Sequence, residues 1–279
     1  PILRTMLSWI PLQRTDANPL WTMRLGGSVP HPDWRTRFAA YGRAGAKFMT
    51  SGLGGRVRSP ASDAPRHSAV ILASGGRRQL IGTRWTHYVA DPLAEALRQR
   101  GAAALVWQLG ERRIPTHYAA SWISSSLEVG CKLARRRGAV PVQATPPPWF
   151  SELSPLADGC FQRHIPWEEL EQVIRRVTLM SHVFQPWLAG NGCTLLLLDC
   201  WYTWESMGAA LAAHRLGIPT VDIQHGIQEH GHFAYASWTK APEGGYEIFP
   251  KVMWFWGREA ARMFNDQNAQ PCRALGTND

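Results

Sequence analysis

Residues 217–227 read Gly-Ile-Pro-Thr-Val-Asp-Ile-Gln-His-Gly-Ile, and the architecture can be worked out from them. Gly217 suits the left-handed conformation that commonly ends a helix. Residues 220–223 then form a short run that favours a buried strand. His225 follows at the carboxyl end of this strand, and Gly226 permits a tight turn or the close approach of a ligand. The stretch therefore predicts a helix, a strand and a polar loop in succession.

The same alternation of strands and helices continues on both sides of this unit. Predicted strands are residues 69–73, 104–109, 140–143, 195–199, 220–223, 251–255 and 272–275. Predicted helices are residues 91–100, with Asp91 as N-cap, 121–137, 167–188, 205–216 and 258–265. This order favours a Rossmann-like α/β domain whose mostly parallel sheet has helices on both faces. Ligands of such sheets bind outside the carboxyl ends of the strands, so the loops at residues 74–84, 199–204 and 224–250 are expected to matter.

The composition is that of a globular protein, with 45% apolar and 18% charged residues among 279. The longest strongly apolar run, residues 194–200, is too short to cross a bilayer. Five cysteines are scattered without a CxxC spacing. This pattern predicts free thiols in a reducing cytoplasm, with no structural metal and no cofactor.

The positive charge is concentrated at one end of the chain. Residues 1–66 carry +7 of the net charge of +9 and are rich in Gly, Pro, Ser and Arg. We expect a basic, loosely packed or disordered extension, followed by one Rossmann-like domain over residues 67–273. Because the remainder is nearly neutral, nucleic-acid binding is not expected. An anionic membrane surface is the better partner for the basic extension, which would place the protein peripherally at the inner membrane.

A set of short motifs adds a family resemblance over residues 68–279. In order along the chain they are Gly82-Thr83-Arg84-Trp85, His87, Asp91-Pro92-Leu93, Trp201-Tyr202, an Ala-rich helix, residues 217–221, Gln224-His225-Gly226, His232, Tyr235 and Trp256-Gly257. In this order and spacing they are similar to bacterial surface-polysaccharide (capsule and O-antigen) biosynthesis proteins with a GT-B glycosyltransferase-like fold.

The resemblance implies an architecture and an activity. GT-B enzymes have two Rossmann-like domains that face each other across a cleft, and this chain corresponds to the N-terminal, mainly acceptor-binding one. Residues 274–279 are then expected to begin a linker to a second domain that holds most of the nucleotide-sugar. The implied reaction is metal-independent transfer of a sugar from a nucleotide-sugar to a glycan or lipid-linked acceptor.

Ten residues are candidates for the site. Sugar transfer needs a base for the acceptor hydroxyl and stabilisation of the departing phosphate. His225 is the first catalytic candidate, and Glu229 is the alternative base. The substrate-binding candidates are Gln224, Gly226, His232, Tyr235, Trp201, Tyr202, Arg84 and His87.

Two other functions stay open from the sequence alone. His225, His230 and His232, together with Glu229, supply four potential metal ligands within eight residues, which would suit a metal-dependent hydrolase. A non-catalytic glycan- or partner-binding module is the other alternative, because the nucleotide-sugar domain implied by the resemblance is not part of these 279 residues.

Overall fold

Strands and helices alternate along the described part of the chain, as the sequence predicts. The computed structural model describes residues 68–110, 116, 120–141, 145–161, 164, 166–226, 232, 234–235, 243–266, 268 and 271–277. The strands are β1 (Ser68–Ala73), β2 (Arg78–Ile81), β3 (Arg84–His87), β4 (Ala103–Gln108), β5 (Ala120–Trp122), β6 (Cys193–Leu198), β7 (Thr220–Ile223), β8 (Val252–Phe255) and β9 (Arg273–Gly276). The helices are α1 (Ala90–Gln99), α2 (Ser124–Arg136), α3 (Pro148–Phe161), α4 (Trp167–Gly190), α5 (Trp204–Arg215) and α6 (Arg258–Asp266).

Seven of the described strands form one parallel sheet in the order β5-β4-β1-β6-β7-β8-β9. Strand β1 is buried along its whole length, as expected for a central parallel strand covered on both faces. On one face, the apolar side of α1 packs against β1 through Ala90 and Ala94. On the other face, α2, α4, α5 and α6 cover the sheet around Trp107 and Phe184, whose ring centroids are 6.2 Å apart. The predicted Rossmann-like α/β fold is confirmed.

Helices α4 and α5 approach closely because one residue of the contact lacks a side chain. A Cβ at Gly208 in α5 would lie 2.6 Å from the Cβ of Met180 in α4. We therefore expect Gly208→Val to lower the free energy of unfolding by about 1–3 kcal/mol through overpacking. Urea denaturation measures this loss, with Gly76→Ala as control because the space around Gly76 is open. Equal stability of the two variants would contradict the close packing.

Four features differ from the sequence expectation. The segment between β1 and α1 was predicted as a loop, but it forms the antiparallel hairpin β2–β3. Strand β5 and helix α3 were not predicted as such. The strand predicted at residues 140–143 is wrong at Val140, which belongs to no strand, and residues 142–143 lie outside the described residues. Short elements contain too few residues for a hydrophobic period to stand out in the sequence, which explains these differences.

The boundary predicted at residue 273 falls inside the sheet. Strand β9 continues to Gly276 and pairs with β8 over its whole length, so residues 274–276 belong to the domain and not to a linker. Residues 1–66 lie outside the described residues. None of the helices in the described ranges is long and apolar enough to cross a membrane.

Candidate functional site

The direction of the chain through the sheet reverses between β1 and β6. From β1 the chain moves outward to β4 and β5, whereas from β6 it moves the other way to β7, β8 and β9. At such a point the two connections leave a crevice outside the carboxyl ends of the central strands, where open α/β sheets bind ligands. Ser74 follows β1 here, and Asp199 follows β6.

Asp199 ties the two sides of this crevice together. Its Oδ2 accepts hydrogen bonds from the backbone N–H and the hydroxyl of Ser74, both at 2.8 Å, and it lies 3.2 Å from Nε2 of His87. The carboxyl group is 1% exposed. Burial alone would raise its pKa, but the hydrogen bond from His87, the charges of His87 and Arg77 and the Ser74 N–H outweigh burial and lower the pKa. Asp199 is therefore a buried carboxylate ion.

His87 has a structural task that fixes its tautomer. Its Nδ1 accepts hydrogen bonds from the backbone N–H groups of Ala90, at 3.0 Å, and Val89, at 3.3 Å. The ring proton of the neutral form must therefore lie on Nε2, which faces Asp199. Because His87 is fully buried, the prediction that it contacts substrate is wrong. It satisfies donors at the start of α1 and orients Asp199.

The predicted N-cap role of Asp91 is also wrong, because α1 begins at Ala90 and its N-cap is Val89. Asp91 is fully buried. Its Oδ2 accepts the backbone N–H of His87 at 2.7 Å and lies 3.3 Å from Nη1 of Arg78. Arg78 also donates from Nε to the Gln108 side chain at 2.9 Å. These contacts attach the base of the hairpin to α1 and β4.

A second group of side chains surrounds the carboxyl end of β7. The Tyr202 hydroxyl lies 2.9 Å from Nε2 of His225. The ring of Tyr202 is 5.4 Å from that of His232, and the His232 ring is 5.0 Å from that of Tyr235, centroid to centroid. The structure therefore brings together four of the residues that the sequence analysis singled out.

His225 is neutral at physiological pH. Burial lowers its pKa to about 4, with the positive charge of Arg77 acting in the same direction and the Asp199 charge opposing. The residue is half-buried, but its Nδ1 atom is buried without a hydrogen-bond partner and its Nε2 atom faces Tyr202. A neutral imidazole offers one N–H donor and one acceptor nitrogen, so it can exchange hydrogen bonds with a hydroxyl group.

Asp222 lies beneath this group and is itself inaccessible. Its Oδ1 accepts the backbone N–H of Trp201 at 2.8 Å, and its Oδ2 accepts the hydroxyl of Tyr235 at 2.6 Å. Burial raises its pKa to about 8, because the hydrogen bonds from Tyr235 and Trp201 only partly offset desolvation and Asp199 adds repulsion. Asp222 thus positions Tyr235 and the segment after β6.

Two other predicted site residues, Gln224 and Trp201, are engaged in contacts within the protein. Both ends of the Gln224 amide are used within the protein, since Oε1 accepts from the Trp256 N–H at 2.6 Å and Nε2 donates to the Gly226 carbonyl at 3.0 Å. Trp201 is fully buried, with its ring centroid 4.7 Å from that of Phe249, so its predicted substrate contact is wrong.

Arg84 is exposed on β3 and makes no hydrogen bond or ion pair with the described residues of the cluster. Tyr235 is 3% exposed, so it supports the cluster from behind. Glu229 and His230 lie outside the described residues. Within the described ranges, no group of three or more His, Cys, Asp or Glu side chains is placed to hold a metal ion.

Sequence reasoning missed Asp199, although the signal was available. It is an acidic residue at the carboxyl end of a predicted apolar strand, at the edge where ligands bind. Ser74 and Arg77 follow β1 in the same way. What the sequence could not supply is the strand order, which makes β1 and β6 neighbours and so pairs two segments 125 residues apart.

Comparisons with known proteins give partial structural likenesses only. No family model matches the sequence, and no curated protein matches it significantly. The crystal structure of MurG from Acinetobacter baumannii matches with a TM-score of 0.31 and 11% identity over 75% of this chain and 45% of that one. The UDP-GlcNAc 2-epimerase of Neisseria meningitidis, bound to UDP-GlcNAc, matches with a TM-score of 0.35 and 13% identity over 75% and 46%. This chain therefore spans less than half the length of either protein, and likenesses this partial assign it neither a substrate nor a reaction.

Proposed function

We propose that the protein is a glycosyltransferase-like protein of bacterial surface-polysaccharide biosynthesis, which transfers a sugar from a nucleotide-sugar to a glycan or lipid-linked acceptor. The observation that carries the proposal is the pair of Tyr202 and neutral His225, 2.9 Å apart and partly open at the carboxyl edge of the sheet. The motifs of residues 68–257 support the same family. The proposed place of work is the cytoplasmic side of the membrane, with residues 1–66 in contact with anionic lipid.

In this proposal the described domain holds the acceptor. The acceptor hydroxyl hydrogen-bonds to the pair of Tyr202 and His225, whose hydroxyl and Nε2 atoms face each other at 2.9 Å. His232 shapes the edge of the cluster, and its pKa is lowered by burial, so it too is neutral and able to hydrogen-bond a sugar. Glu229 is kept as the alternative base.

A panel of nucleotides tests the proposal. We would record the thermal unfolding midpoint of the chain with CMP, UDP, GDP and dTDP and with their sugars, and repeat it on the polypeptide extended past residue 279 as encoded. A ligand at a hundred times its dissociation constant stabilises the folded state by about 2.7 kcal/mol, which is a readable shift. We expect a shift with one base only. No shift with any ligand, in either well-folded protein, would overturn the proposal.

Sugar transfer is then compared between variants. We expect His225→Gln to reduce transfer by at least about a hundredfold while the midpoint shift with the donor is kept. His182→Gln, which changes an exposed histidine of α4, is the matched control and should leave the rate unchanged. Full activity in His225→Gln would remove His225 from the chemistry.

One observation favours the non-catalytic alternative. A base works best when its pKa lies near the working pH, and the pKa of His225 is about 4. A ring of such low basicity suits a binding module for glycans. Acceptor binding by the wild type without detectable transfer, in the extended polypeptide as well, would select this second function.

A further inference from the structure

The guanidinium group of Arg77 lies in the crevice between β1 and β6 without a hydrogen-bond partner among the described residues. Its Nε is 3.8 Å from Oδ2 of Asp199, which is an ion pair but is too long for a hydrogen bond. The Nη1 atom is buried and has no hydrogen-bond partner. The whole side chain is only 17% exposed.

The Oδ2 atom of Asp199 does not supply the hydrogen bonds that the Arg77 guanidinium lacks. The Oδ2 atom that faces Arg77 already accepts two hydrogen bonds from Ser74 and lies against the Nε2 proton of His87. A guanidinium carries five N–H donors. Leaving charged donors buried and unpaired is costly, and native proteins nearly always supply a partner.

The same loop offers further unpaired donors. Gly75 and Gly76 precede Arg77, both are exposed, and their backbone N–H groups donate to none of the described residues. A Cβ at Gly75 would lie 2.8 Å from the carbonyl oxygen of Leu109, so the loop can sit this close to the end of β4 only with glycine there. The loop therefore packs tightly against the end of β4 and carries two main-chain N–H groups without a described partner beside Arg77.

We propose that Arg77 is the anchor of an oxyanion site that takes a phosphate group, with the loop of Ser74–Arg77 as its wall. A tetrahedral phosphate has oxygens for the guanidinium fork and for neighbouring N–H groups at once. The site lies at the crevice where open α/β sheets bind ligands, on the side of the His225 cluster. Only the identity of the molecule that carries the phosphate rests on the proposed function. This molecule is either the nucleotide-sugar or a phosphorylated acceptor.

Calorimetric titration of the 279-residue chain with inorganic pyrophosphate tests the site. We expect binding by the wild type and a loss of at least about tenfold in affinity in Arg77→Gln, the effect of removing a charged hydrogen-bond donor. Arg77→Lys keeps the charge but lacks the planar fork, so its affinity should fall between the two. Arg100→Gln removes an exposed arginine at the C-cap of α1 and should change the affinity by less than about twofold.

A measurement on the wild type avoids the risk that Arg77→Gln unfolds. The positive charge of Arg77 helps to keep the pKa of His225 low, so a bound anion should raise that pKa. Histidine carbon shifts followed by NMR over pH, with the His225 signal assigned by its loss in His225→Gln, would show this change with pyrophosphate and not with chloride of equal ionic strength. Acetate in the same titration separates carboxylate from phosphate, since stronger binding of acetate would overturn the phosphate assignment.

The outcomes separate the two proposals. No pyrophosphate binding by the wild type, or equal affinity in the wild type and Arg77→Gln, overturns the oxyanion site. Pyrophosphate binding that depends on Arg77, together with no response to any nucleotide-sugar, keeps the site and removes the proposed function. A response to one nucleoside diphosphate that is lost in Arg77→Gln supports both and identifies the donor as the source of the phosphate.

Discussion

Asp199→Ala is expected to lower the free energy of unfolding by about 3–5 kcal/mol, the usual cost of removing one partner from a buried ion pair. The carboxylate is the one acceptor that Ser74 and His87 share across the crevice. Its removal would leave the charge of Arg77 and the Nε2 proton of His87 without their acidic counterpart at a largely buried position. It would also release the loop after β1 from the end of β6.

Urea denaturation of the variant measures this loss. Glu128→Ala is the matched control, because its carboxylate pairs with Lys132 at 2.6 Å but is 67% exposed. Exposed pairs of this kind contribute about 0.5 kcal/mol or less. A loss in Asp199→Ala as small as that of the control would show that Asp199 is not a structural tie.

Asp222→Asn is expected to become more stable than the wild type as the pH rises. The pKa of Asp222 is about 8 in the folded protein, against 3.8 for the unconstrained group. Between these values the unfolded chain releases a proton that the folded chain keeps, so unfolding becomes easier with each pH unit, by about 1.4 kcal/mol for one proton. Asparagine keeps an acceptor for the Trp201 N–H and can hydrogen-bond the Tyr235 oxygen, but does not titrate.

The measurement is made above pH 6.5 because a second group, His225, titrates in the opposite sense below that value. His225, with its pKa lowered to about 4, destabilises the fold as the pH falls below 6.5, where the unfolded ring takes up a proton. His232, whose pKa is also lowered by burial, acts in the same sense as His225, and both histidines are present in the wild type and in Asp222→Asn. From pH 6.5 to 8 the titration of Asp222 distinguishes the two proteins, so the advantage of Asp222→Asn should grow by about 2 kcal/mol.

Denaturation of both proteins at pH 6.5 and pH 8 measures this difference. Asp266→Asn, at the exposed end of α6, is the control and should follow the wild type at both pH values. Parallel curves for the wild type and Asp222→Asn would mean that Asp222 is ionised throughout and that its hydrogen bonds outweigh its burial.

The architecture was predictable because the longer elements repeat one physical pattern. Residues 220–223 form β7 with the predicted bounds, and α4 covers the helix predicted at residues 167–188 and continues to Gly190. The hairpin β2–β3 was not predicted because its short strands do not alternate between apolar and polar residues. Leu80 and Ile81 are adjacent and both exposed, so the strand lacks the buried apolar face that produces this alternation. Local periodicity finds elements that bury a face and misses elements that do not.

The candidate site was predictable in part for a similar reason. Position after a buried strand singled out His225, and the structure places it with Tyr202, His232 and Tyr235. The place of a residue in the sequence does not reveal whether its side chain already forms hydrogen bonds with other groups of the protein. His87 and Gln224 have the residue types of a binding site, yet their polar atoms contact other groups of the protein, and this depends on three-dimensional placement alone.

The loop that carries Arg77 is fixed at both ends. On one side Ser74 is bound to Asp199, and on the other Arg78 is bound to Gln108 and Asp91. Only three residues lie between these two anchors. The conformational entropy of this segment is therefore lost during folding and not when a ligand binds. A rigid receptor of this kind discriminates between guests by their size and charge, because it has no freedom to adjust to a poor fit.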